Sequence, residues 1–131
     1  EHSSNAEKVA EYLSNHDSVE RGSYPSLMDG YAKDRAEKYL IRGNGGLMGF
    51  EVKGGRDAGE KFINSLEMVY HVANIGDSRS LAIHPGSTTH SQLNEEELLA
   101  AGITPGYVRL SIGLEHVDDI IADFEQALSK I

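Results

Sequence analysis

The chain contains no cysteine and no tryptophan, and only 7% of its residues are aromatic. Without cysteine there is no disulfide, no thiolate zinc site and no cysteine nucleophile. The absence fits a reducing compartment, and the expectation is a cytoplasmic protein. An excess of positive charge is lacking too. The 131 residues carry 12 Lys and Arg against 21 Asp and Glu, a formal charge of −9. Lys33, Arg35, Lys38 and Arg42 are interspersed with acids, whereas a nucleic-acid binder carries a basic stripe. DNA, RNA and anionic membrane are therefore discounted as partners. No apolar run approaches the roughly 18–20 residues that span a bilayer. No basic-then-apolar signal peptide opens the chain. Glu1 to Asn5 do not resemble a natural start and no Met leads them, so an excised piece of a longer chain is expected.

What is present is an ordinary globular composition, 39% hydrophobic and 25% charged, at a length that fits one domain with one core. Ala6, Val9, Ala10 and Leu13 recur at helical spacing, predicting an amphipathic helix from about Ser4 to Asn15. Ser4 and Glu7 match the spacing of a capping box. A polar stretch with Gly22, Pro25 and Gly30 reads as loop, with a short edge strand near Val19 to Tyr24. Tyr31 to Leu40 allows a short second helix, ended by Gly43, Gly45 and Gly46. In Leu47 to Lys53, Met48, Phe50 and Val52 alternate with Gly49, Glu51 and Lys53, the pattern of a strand.

A third helix follows the Gly54-Gly55 turn, with Ala58, Phe62, Leu66 and Val69 on one stripe. Strands are predicted near Tyr70 to Ala73 and Ser80 to Ile83. His84 to Gln92 reads as a structured loop. Asn94 with Glu97 marks a helix start, and Gly102 its end. Tyr107 to Leu114 is a half-buried strand: Val108, Leu110, Ile112 and Leu114 share one face, Tyr107, Arg109, Ser111 and Gly113 the other. A final helix carries Val117, Ile120, Ile121, Phe124, Ala127 and Leu128 on one stripe, with Asp118 and Asp119 in the first turn, where the helix dipole favours negative charge. The sum is α+β: a small, mainly antiparallel sheet with helices packed on one face.

Among the polar residues Arg109 stands out. It lies mid-strand opposite the apolar stripe, with no acid beside it on that strand face. A guanidinium held by a sheet can grip a carboxylate through two parallel hydrogen bonds; an exposed strand Arg paired with an acid elsewhere is the alternative. His84 and His90 stand six apart, but no third and fourth metal ligand accompanies them. Thr89-His90-Ser91 sets hydroxyls beside an imidazole, an arrangement more suited to bonding loop backbone than to catalysis. The glycines of 43–46 and 54–55 match neither the Walker nor the Rossmann spacing and serve turns.

Two longer segments carry a resemblance. Ser80-Leu81-Ala82-Ile83-His84-Pro85-Gly86-Ser87-Thr88-Thr89-His90-Ser91-Gln92-Leu93, and Ala101-Gly102-Ile103-Thr104-Pro105-Gly106-Tyr107-Val108-Arg109-Leu110-Ser111-Ile112-Gly113-Leu114-Glu115 running on into Asp118-Asp119-Ile120-Ile121-Ala122-Asp123, are very similar to signatures of the Cys/Met-metabolism family of pyridoxal-phosphate (PLP) enzymes. Gly49 to Gly55 and the Asn5-Ala6 helix resemble the family as well, and the weakest stretch is about Glu20 to Arg42.

The resemblance implies that the chain is the C-terminal, substrate-binding domain, residues 1–131, with the large PLP-binding domain lying elsewhere. The family's PLP lysine sits in a Ser-x-Thr-Lys-type segment. None of Lys8, Lys33, Lys38, Lys53, Lys61 and Lys130 does, so PLP belongs to the parent enzyme and none is expected on this chain, nor catalysis by it alone. The Arg of the R-L-S-x-G-x-E segment, here Arg109, is implied to clamp the substrate α-carboxylate. Asn74, ahead of Gly76-Asp77, is implied to approach the same carboxylate. The Asn and the Thr-Thr-His-Ser-Gln-Leu run lean toward the sulfhydrylases, which exchange the acetoxy group of O-acetylhomoserine for sulfide or a thiol. The implied parent is a homotetramer acting on an amino acid. Cystathionine γ-synthase and methionine γ-lyase share the clamp and stay open as readings, as does a non-catalytic amino-acid-binding or structural module.

Overall fold

A computed structural model describes residues 1–131. In chain order it comprises α1 (His2–Ser14), β1 (Val19–Ser23), α2 (Gly30–Tyr39), β2 (Leu47–Val52), α3 (Gly55–Ser65), β3 (Tyr70–His71), β4 (Leu81–Ile83), α4 (Glu95–Ala100), β5 (Tyr107–Ser111) and α5 (Val117–Leu128). Short 3₁₀ turns at Pro25–Leu27 and Pro85–Ser87 follow β1 and β4. The five strands form one sheet in the order β1-β2-β5-β4-β3. Every pair is antiparallel except β3 with β4, so the sheet is the mainly antiparallel one that the patterns predict.

The alternation of β2 and β5 decides where the core lies. Met48 pairs with Leu110 and Phe50 with Val108, and all four are buried against α1, α3 and α5. Phe62 of α3 is the hub. Its ring meets Phe50 edge-on at 5.3 Å and lies 5.9 Å from Phe124 of α5. Fully burying an aromatic side chain of this size contributes about 1.5–3 kcal/mol, so these three rings fix both helices on the inner face. The outer face carries Gly49, Tyr107, Arg109 and Ser111. The helix α2 stands apart, with no buried residue.

Three local expectations are corrected. The helix α1 starts at His2, ahead of Ser4, with Glu1 as its N-cap and no side-chain capping bond. Glu7 instead accepts from Asn44 Nδ2 at 3.2 Å, so the Ser4–Glu7 spacing caps nothing. The stripe assigned to the third helix stops at Ser65, and Leu66 and Val69 lie beyond it. The cause is Asp123 of α5, whose buried carboxylate accepts from the backbone N–H groups of Glu67, Met68 and Val69 at 2.9–3.0 Å. A carboxylate that takes three successive N–H groups removes them from the helical ladder. Finally, Leu114 is exposed and does not share the buried face, because the chain leaves the sheet after Ser111. At Gly113 a Cβ would come within 2.4 Å of the Ser78 carbonyl oxygen, so only glycine allows the crossing there.

Candidate functional site

The parallel pairing of β3 and β4 builds the site. A parallel connection normally takes a dozen or more residues and a crossover element. Here residues 72–80 alone return the chain to the start of β4, and they do so over the outer face. On the way they reach past β4 to β5, where Arg109 lies opposite Gly49 of β2 and Ile83 of β4. Arg109 Nη2 donates to the Asn74 carbonyl oxygen at 3.1 Å. The two residues that the resemblance implies for substrate binding are thereby brought together, 35 positions apart in sequence. The Asn74 side chain is turned inward on its own loop, with Oδ1 accepting from the Ile75 N–H at 2.9 Å.

Arg109 has no carboxylate within ion-pair distance; the ion pairs of the chain involve Arg21 with Glu51, Arg79 with Asp77, and two histidines. Within this chain, no acid takes the place of the partner that the alternative reading gives to an exposed strand Arg. One of five guanidinium N–H groups is taken by a backbone carbonyl, leaving the rest for a planar anion. Beside Arg109 opens a groove of about 270 Å³, walled by Tyr24, Met28, Leu47, Gly49 and Tyr107. A Cβ at Gly49 would stand 2.2 Å from the Tyr107 hydroxyl, so the missing side chain lets the Tyr107 ring lie across β2 as one wall. Tyr24 anchors the opposite side. Its hydroxyl donates to the Gly45 carbonyl at 2.8 Å, and burial, with the charge of Glu7, pushes it up to about 12. A second groove of about 350 Å³, lined by Ile75, Gly76 and Ser111 among others, lies on the far side of Leu47.

The loop that brings Asn74 is itself braced. Asp77 and Arg79 pair within it at 3.2 Å, and the Arg79 guanidinium lies 4.5 Å from the Tyr70 ring centre. Hydrogen bonds from Arg79, side chain first and backbone second, hold the Asp77 carboxyl down at about 2. Sequence reasoning missed these braces, whose only trace was their place in the Asn74–Ser80 segment.

His84 is not a ligand. It is wholly buried, with Nδ1 2.8 Å from Ser87 Oγ and Nε2 2.6 Å from the Pro105 carbonyl oxygen. Burial, aided by the charge of Arg56, lowers its pKa against the opposing pull of the Pro105 carbonyl. The neutral ring that donates from Nε2–H and accepts the Ser87 hydroxyl matches that environment. His90 engages Thr89 Oγ1 instead, and no cluster of three His, Asp or Glu side chains could hold a metal ion. As expected of a hydroxyl-stapled loop, Thr88 Oγ1 donates to the His84 carbonyl at 2.7 Å.

The sheet thus carries helices on its inner face and presents a guanidinium at an open groove on its outer face. The model of the Cys/Met metabolism PLP-dependent enzymes matches residues 1–129, and the chain belongs to that family. It is 53% identical over 131 residues to the O-acetyl-L-homoserine sulfhydrylase of Leptospira meyeri, covering 99% of this chain and 30% of that protein. It is 46% identical over 130 residues to an L-methionine gamma-lyase of Fusobacterium nucleatum subsp. polymorphum, covering 99% and 33%. Among solved structures it is similar to that of an enzyme assigned as an O-acetylhomoserine (thiol)-lyase of Campylobacter jejuni, in which a lysine bears the pyridoxyl phosphate. The TM-score is 0.87 and the identity 46%, over 98% of this chain and 30% of that one. The chain thus spans about three-tenths of the length of these relatives. Its α+β fold is that of the small C-terminal domain of PLP transferases.

The family depends on PLP, yet the residues of this chain do not fit a seat for it. All six lysines are exposed, none stands in a Ser-x-Thr-Lys segment, and neither groove beside β5 is lined by one. No helix is long and apolar enough to cross a membrane.

Proposed function

We propose that the chain is the C-terminal substrate-binding domain of a PLP-dependent O-acetylhomoserine sulfhydrylase, with Arg109 as the clamp on the substrate α-carboxylate and Asn74 beside it. The observation that carries the reading is the guanidinium of Arg109. It has no acidic partner, it is held at one edge by the Asn74 carbonyl, and it faces an open groove. The reaction class follows from the likeness to sulfhydrylases along the whole chain. PLP, held by the remainder of the enzyme, supplies the electron sink when bound. This domain supplies orientation. Two parallel hydrogen bonds from a fixed guanidinium set the direction of the amino acid and reduce the entropy to be lost on reaching the reactive geometry. The whole enzyme is taken as a cytoplasmic homotetramer.

The clamp is tested in the full-length enzyme with Arg109→Ala and Arg109→Lys. Removing one partner of a desolvated, hydrogen-bonded charge pair costs about 2–5 kcal/mol, so Arg109→Ala should lower kcat/KM for O-acetylhomoserine by about 30-fold or more. Arg109→Lys keeps the charge but loses the fork, and should fall in between. Unchanged kinetics in Arg109→Ala would remove the assignment. The likeness to a methionine γ-lyase supports a second reading with the same clamp. Product analysis separates the two: γ-replacement on O-acetylhomoserine by sulfide gives homocysteine and acetate, whereas elimination from methionine releases a thiol, ammonia and a 2-oxo acid.

A further inference from the structure

The loop of Asn74 to Ser80 is held along the segment of Arg109 to Glu115 by a row of hydrogen bonds. Arg109 Nη2 donates to the Asn74 carbonyl at 3.1 Å. The Gly76 N–H donates to Ser111 Oγ at 3.1 Å. The Leu114 N–H donates to the Ser78 carbonyl at 2.8 Å. The Gly113 N–H donates to Ser80 Oγ at 2.9 Å. Glu115 closes the row by accepting from the Ser80 N–H at 2.6 Å and from its hydroxyl at 2.8 Å. Asn5 Nδ2 of α1 locks the segment from behind through the carbonyls of Gly113 and Glu115.

Ser111 is buried and lies two residues from Arg109 on the same strand face. Its hydroxyl takes the one loop N–H that lies two residues from the Asn74 carbonyl. An arginine side chain has several freely rotating bonds, and a bidentate grip on a planar anion demands one orientation of its fork. The Asn74 carbonyl supplies that orientation only while the loop stays on β5. We infer that Ser111 and Glu115 are positioning residues for the Arg109 clamp: they hold the loop of Asn74 on the strand, and the loop holds the guanidinium. The inference rests on the carboxylate-clamp reading proposed above.

The test uses the full-length enzyme and two competitive probes, norleucine and pentylamine, which differ only by the carboxylate. The ratio of their inhibition constants reads the grip on that group alone. A merely structural role would weaken both probes alike and leave the ratio unchanged. Loss of one neutral hydrogen bond in the row should compress the ratio by about 3- to 10-fold in Ser111→Ala. Glu115→Gln keeps one acceptor oxygen and should compress it less than Glu115→Ala. On an Arg109→Ala background Ser111→Ala should add nothing, because both act through one group. Thermal midpoints recorded on the same samples confirm that each variant is folded. If Arg109→Ala collapses the ratio and Ser111→Ala, folded, leaves it intact, the positioning role is wrong and the clamp survives. If Arg109→Ala itself leaves the ratio unchanged, the clamp is wrong and the positioning role goes with it.

Discussion

At the scale of single residues, Asp123 is the group whose removal the fold would register most directly. It sits in the apolar stripe of α5, between Ile120 and Phe124, and is almost fully buried. Burial pushes its pKa up, but the N–H groups of Val69, Glu67 and Met68 and the Gln126 amide outweigh that and hold the carboxyl below its ordinary value. A folded-state pKa below that of the unfolded chain, about 3.9, means that the unfolded state binds the proton more tightly. The stabilisation is then fully present above the unfolded value and is lost as pH falls through the lowered folded one. Asp123→Asn sets an NH₂ group where an N–H must find an acceptor, and leaving a buried donor unsatisfied costs about 1–3 kcal/mol. The expected outcome is a lower melting temperature at pH 7 and a shallower loss of stability below pH 4. Parallel melting-against-pH curves for the two proteins would refute it.

At the scale of elements, the packing of α3 against the loop after β4 shows local preference and tertiary fit in competition. Gly59 lies inside α3, where alanine is favoured by about 1 kcal/mol. Yet a Cβ at Gly59 would stand 2.5 Å from Nε2 of the buried His84, and that ring is pinned between Ser87 and Pro105. Overpacking a rigid site costs about 1–3 kcal/mol, so packing outweighs propensity and Gly59→Ala should lower stability on chemical denaturation. A more stable variant would mean that the His84 ring moves freely.

The same competition explains what was legible in the sequence. The elements β2, β5 and α5 were readable because alternation and helical spacing report burial directly, and Asn94 with Glu97 does form a capping box. The end of α3 was not readable, since Asp123 acts on it from 54 to 56 positions away. Arg109 stood out because its strand pattern isolates it, and the resemblance added Asn74. The meeting of Asn74 with Arg109, and the roles of Ser111, Gly113 and Glu115, depend on a loop folding back over the sheet. Their one sequence trace is that Arg109, Ser111 and Gly113 share a strand face.

At the scale of the whole molecule, stability is distributed unevenly, and the unevenness points outward. The inner face is closed by a single core joining α1, α3 and α5 to β2 and β5. The other side leaves large apolar groups in water: Tyr31 is 74% exposed, Tyr39 63% and Ile41 81%, with Leu47 and Ile75 about half exposed. The helix α2 buries none of its ten residues, and a helix that short is marginal in water without tertiary support. Local opening free energies run from near zero in such elements to the global value in the core. In the 131-residue chain, the amides of α2 should therefore exchange with deuterium faster than those of α5 by about a thousandfold or more. On the proposed reading, the rest of the enzyme and its neighbouring subunits cover this side. The amides of α2 should then slow markedly in the full-length protein while those of α5 change little. Equal α2 exchange in both would mean that this surface faces solvent in the enzyme as well, and that its apolar residues serve no internal interface.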